Sequence, residues 1–89
     1  MLNKIEVELV RIFKENLADS YQIELIEKSG IDTPFSMLGI NSVEFMRLMV
    51  AIENEMDIEF SDEHMDNAYQ LDAVKDLAEL IQADYQVDL

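Results

Sequence analysis

Chemistry has few places to start in this chain, and Ser42 is the best of them. It follows a glycine turn in the run Leu38-Gly39-Ile40-Asn41-Ser42-Val43-Glu44-Phe45. Leu38 and Ile40 before it, and Phe45, Leu48 and Ile52 after it, are bulky enough to anchor both flanking elements in a core. The serine itself falls at the N-cap or in the first turn of the following helix, where its hydroxyl is exposed. A hydroxyl on a rigid helix start, reachable by another protein, is a natural point for covalent attachment of a prosthetic group. An ordinary N-cap would put the same residue in the same place, so the octapeptide alone supports both readings.

Other reactive constellations are sparse. His64 is the single histidine, set in an acidic and exposed segment with no cysteine in the chain to accompany it, so a metal centre or catalytic triad is not expected. Asp57-Ile58-Glu59-Phe60-Ser61-Asp62 alternates acids in the manner of a calcium loop, but lacks the central glycine and a correctly spaced closing glutamate. Gly30 and Gly39 are isolated and form no phosphate-cradling loop. The residues do not add up to an autonomous enzyme.

Twenty acidic residues against six basic ones give a net charge of −14. Nucleic acid would be repelled by such a field, and insertion into anionic membranes is disfavoured. Proteins with basic docking surfaces remain as partners, and their approach would be accelerated. The charge is also uneven: from Leu48 through Val74 there is no Lys or Arg, while Glu53, Glu55, Asp57, Glu59, Asp62, Glu63, Asp66 and Asp72 fall in that stretch. This is either a solvated face or a steering surface. A length of 89 residues implies a single domain spanning 1–89, a hydrophobic share of 49% suffices for its core, and a cysteine-free chain with no signal-like or membrane-length apolar run reads as a cytoplasmic monomer.

The elements that must position Ser42 are helical. Leu2, Ile5, Leu9, Ile12 and Phe13 share one face of a first helix from about Asn3 to Leu17, ending near Asp19-Ser20. Residues 20–41 form a long connection in which Tyr21, Ile23, Leu25 and Ile26 make a short helical turn closed by a left-handed cap at Gly30. Asp32-Thr33-Pro34 is a turn, and Phe35 and Leu38 pin the connection to the core. A second helix from about Ser42 to Glu55 carries two apolar stripes. Phe45, Leu48, Met49, Ile52 and Met56 form the first; Val43, Met46 and Val50 form the other, which is either a widened core face or an exposed docking strip. After an extended link with Ile58 and Phe60 buried, Ser61 caps a brief helix to about Asn67. A last helix starts near Asp72, with Val74, Leu77, Ala78, Ile81 and Tyr85 on one face and a fraying end from Gln86. The expectation is an all-α fold, a small up-and-down four-helix bundle with one short helix.

The segment from Asp32 to Val43 resembles the attachment region of acyl and peptidyl carrier proteins, where a leucine-glycine pair, an apolar residue and then Asp-Ser-Leu precede the second helix. The stretch from Glu53 to Phe60 is similar to that family's acidic helix end and link, and Val74 to Ile81 to its last helix, so the resemblance covers nearly the whole chain. It implies that Ser42 carries 4′-phosphopantetheine in a phosphodiester link, with Asn41 flanking it. A phosphopantetheinyl transferase would add the arm, whose thiol would hold acyl or aminoacyl groups as thioesters. Acyl-transferring, ligating or condensing enzymes of fatty-acid, polyketide or related lipid biosynthesis would be the next partners. Val43, Met46 and Val50 match the family's enzyme-contacting positions, and Glu53, Glu55 and Asp57 its acidic contacts; Glu44 would also attract a basic patch. Three residues depart from the pattern. Asn41 stands where aspartate is usual, Arg47 where an acid is frequent, and Ser61 where proline is common. Without modification, the same surface would serve an acidic adaptor, or an inhibitor masking a basic site.

Overall fold

The long connection before Ser42 is itself helical, which is the main difference from expectation. The computed structural model describes residues 2–89, and among these the elements are α1 (Lys4–Asn16), α2 (Ser20–Ser29), the single turn α3 (Phe35–Leu38), α4 (Ser42–Met56), α5 (Asp62–Asn67) and α6 (Val74–Asp84). The fold is an all-α bundle. Asp19, which looks like the end of the first helix, is the N-cap of α2: its carboxylate accepts the Tyr21 N–H at 2.8 Å. Gly30 closes α2 with φ 55° and ψ −130°, a glycine conformation but not the left-handed helical one. The first helix begins one residue later than expected, with Asn3 as its cap in a reciprocal capping box with Glu6. Its first apolar residue, Leu2, is exposed rather than on the core face. At the other end α6 runs from Val74 to Asp84, and in the non-helical residues beyond it Val87 is partly buried against the core while Gln86, Asp88 and Leu89 are exposed.

Apolar residues hold these helices together. α1 packs against α2, α4 and α6, and Leu9, Ile12, Phe13, Phe45, Met49, Ile52, Leu77 and Ile81 are fully enclosed. Phe35 and Leu38 are buried as anchors, as is Phe60, while Ile58 is half-buried. Phe35 is the hinge of the arrangement. It stacks on Phe13 at 6.1 Å and meets Phe45 edge-on at 5.3 Å, tying α3 to both α1 and α4. A backbone clasp fixes the segment preceding α3 to the start of α6: Phe35 N–H donates to Asp72 O at 2.9 Å and Val74 N–H to Thr33 O at 3.2 Å.

His64 is not the free side chain its acidic surroundings suggest. Its Nδ1 lies 2.7 Å from the Tyr85 hydroxyl and its Nε2 3.2 Å from Asp84, while the same hydroxyl accepts the Ser61 N–H at 2.8 Å. The start of α5 is thereby fastened to the end of α6, and Ser61 caps α5 as expected through a bond from His64 N–H.

Few of the acids are balanced. Arg11 bridges Glu8 and Glu15 at 2.6 Å each and Glu55 at 3.1 Å, and these partners, Glu8 and then Glu55 foremost, raise its pKa above the ordinary value. Lys14–Glu27 and Lys75–Asp32 are loose pairs at 3.7 Å. The remaining carboxylates repel one another, and dissolved salt screens that repulsion. The melting temperature should therefore rise by about 4–8 °C between low salt and about 0.15 M sodium chloride, the shift that ~1 kcal/mol gives in a domain of this size. A flat or falling trend in a thermal melt would show the charges to be internally compensated.

Candidate attachment site at the start of α4

Gly39 shapes the approach to Ser42. It ends α3 with φ 65° and ψ 24°, the left-handed region open to glycine, and turns the chain so that Ile40 enters the core. Asn41 follows in extended conformation and takes the capping role. Its Oδ1 accepts the Glu44 N–H at 2.8 Å, and its own N–H donates to Glu44 Oε1 at 3.2 Å. Ser42 is consequently the first residue of α4, not its cap. Its side chain is exposed, and among the described residues its hydroxyl makes no hydrogen bond within the chain.

That division matters for what the hydroxyl can hold. The cap is complete without Ser42, so a group esterified to Oγ would displace no intramolecular bond. The Ser42 and Val43 amides have no intrahelical acceptor, and the positive end of the α4 dipole favours a phosphate there. Glu44 is the nearest opposing charge in sequence, and its carboxylate is turned back onto Asn41. The residues present therefore fit a phosphodiester at this position.

Beside the turn lies an open groove of about 340 Å³, walled by Phe35, Ser36, Gly39, Ile40, Phe45, Tyr69, Leu71 and Asp72. Tyr69 closes one side by meeting Phe45 edge-on at 5.6 Å. Tyr69, Leu71 and Asp72 carry no sequence signal for this groove, because the turn after α5 comes to it only through the packing of distant elements, while Ser36 reaches it from α3. Among the described residues no three histidine, cysteine or acidic side chains converge as a metal site requires.

The other candidates divide sharply. Val43, Met46 and Val50 are 60%, 43% and 46% exposed, so the second stripe of α4 is a surface strip and not a wider core face. Arg47 is exposed beside it. Glu53 is half-buried, and its carboxylate accepts the Phe60 N–H at 2.7 Å, holding the link after α4 in place. Glu55 is engaged by Arg11 at 3.1 Å. Asp57 is exposed and caps the C-terminus of α4 with φ 54°, a left-handed conformation that aspartate tolerates better than most residues.

No helix among the described residues is long and apolar enough to cross a membrane. No curated protein and no solved structure matches the chain. The family model for the phosphopantetheine attachment site matches residues 8–81, a span that runs from α1 into α6 and contains the Gly39 turn, Ser42 and the exposed strip. With that match over most of its length, the chain belongs to the acyl carrier family, whose domains are the attachment site for covalent 4′-phosphopantetheine.

Proposed function

We propose that Ser42 is the residue that bears the arm, and that the chain carries acyl or aminoacyl groups as thioesters between enzymes of fatty-acid, polyketide or related biosynthesis. The observation that carries this reading is the exposed Ser42 hydroxyl, free of hydrogen bonds among the described residues because Asn41 caps α4 in its stead. When bound, phosphopantetheine supplies a terminal thiol that a cysteine-free chain lacks. The protein's own contribution is to present that arm at a fixed helix start, with the aromatic groove alongside and the strip of Val43, Met46 and Val50 open to partners. The chain performs no chemistry itself. It works as a cytoplasmic monomer, and the net charge of −14 draws in enzymes with basic docking patches. On this reading Glu44, Arg47, Glu53, Glu55 and Asp57 contribute to the docking surface, Glu53 and Glu55 less directly because each already has an intramolecular partner.

Intact-mass measurement tests the assignment. After incubation with coenzyme A and a broad-specificity phosphopantetheinyl transferase, the protein should gain the mass of one arm. An unchanged mass would favour an unmodified acidic adaptor or inhibitor.

A further inference from the structure

With six basic residues among twenty acids, the place of each base is informative. Arg11 is held by three carboxylates, and Lys14 and Lys75 each lie 3.7 Å from an acid. Lys4 donates to the Leu89 carbonyl at 3.4 Å, and Lys28 sits in the last turn of α2, where the helix dipole favours a cation. Arg47 has neither kind of support. Among the described residues it makes no ion pair or hydrogen bond, and it lies well before the last turn of α4.

The positions that could pair with it on the helix do not. Glu44, at i−3, is turned back to the Asn41 N–H at 3.2 Å. At i−4, i+3 and i+4 stand Val43, Val50 and Ala51. Val43 and Val50, with Met46 adjacent, are the exposed apolar strip, and Arg47 borders it on the side facing the end of α1, near Asn16, Leu17 and Ala18. A uniformly basic partner would be repelled at this point. A carboxylate brought up among apolar side chains would instead form a two-pronged pair with the guanidinium as water is excluded, a setting in which arginine often dominates binding.

We propose that the α4 face docks a partner protein that presents a carboxylate to Arg47 at the border of an apolar patch. The inference rests on the carrier reading and refines it. The chain's overall negative charge gathers partners with basic surfaces, and Arg47 selects among them. Glu44 and Glu53 are turned onto backbone amides and Glu55 onto Arg11, which leaves Arg47 without an ion-pair partner at the border of that strip among the described residues.

The test measures arm transfer by a broad-specificity phosphopantetheinyl transferase, using that enzyme and variants in which each basic docking residue is changed in turn to Glu. Against the unaltered enzyme, Arg47→Glu should raise kcat/KM about three- to tenfold at low salt, through KM, and the gain should shrink at high salt. Against one of the Glu variants the order should reverse, with the wild-type carrier preferred and a coupling of about tenfold across the cycle. Arg47→Ala should fall between, with an unchanged melting temperature in both carrier variants. Equal rates for wild type, Arg47→Ala and Arg47→Glu against every enzyme form at both salts would overturn the role of Arg47. Absence of any mass gain, wild type included, is a different result and overturns the carrier reading together with this proposal.

Discussion

Ser42→Ala should yield a folded protein that a phosphopantetheinyl transferase cannot modify. The expected loss of arm attachment is complete: Ser20 is also an exposed serine at the first position of a capped helix, but it lies outside the Asp32–Val43 segment that resembles the family's attachment region. The expected loss of stability is small, within about 0.5 kcal/mol, since among the described residues the Ser42 hydroxyl makes no bond that alanine would forfeit. Had serine been the cap, the same change would cost about 1 kcal/mol. Intact mass and a thermal melt on the same sample separate the two effects. An alanine variant that still gains an arm would move the site elsewhere, Ser36 on the groove wall being the first place to look. A variant that fails to fold would mean Ser42 is structural.

Phe45→Ala should be the most damaging single change near the site, costing about 3–5 kcal/mol. Phe45 is 1% exposed and sits between Phe35 at 5.3 Å and Tyr69 at 5.6 Å, both meeting it edge-on. Its removal takes away packing from α3 and α4 and from the turn after α5 at once, and opens the floor of the groove. Against a total of about 5–15 kcal/mol for a domain, that loss brings the protein close to unfolding at room temperature. Urea denaturation measures it directly through the midpoint. A cost below about 1 kcal/mol would show that neighbouring side chains collapse into the space, and that the aromatic junction is not what fixes α3.

What could be read in the sequence was local, and what could not was long-range. The core stripe of α4 is legible because Phe45, Leu48, Met49, Ile52 and Met56 recur at helical spacing, and all five are buried. The same spacing could not say whether Val43, Met46 and Val50 face core or water, because that depends on where the neighbouring helices lie. α2 is weakly marked in the sequence for a specific reason. Leu17 ends α1 by extending its backbone without glycine or proline, so Asp19 looks like the stop of one helix when it is the start of the next. His64 and Glu53 show the limit of local reading most clearly. Their partners, Tyr85 and the Phe60 amide, are 21 and 7 residues away, and nothing in either neighbourhood announces them. Ser42 was legible as a helix-start serine, but its freedom from capping became visible only when Asn41 and Glu44 were seen to close on each other.

Asn41 capping α4 alone bears on how long such a protein survives in the cell. Proteolysis largely tracks the fraction of molecules that transiently unfold, so anything that couples loading to stability would also couple it to turnover. Here that coupling has little to act through. A phosphodiester on Ser42 breaks no helix bond; it gains about 0.3–1 kcal/mol from the amide end of α4 and loses something comparable to repulsion from a chain of charge −14. The two contributions oppose each other. If Ser42 bears the arm as proposed, the empty and loaded forms should be degraded at similar rates, so that neither state is selectively cleared.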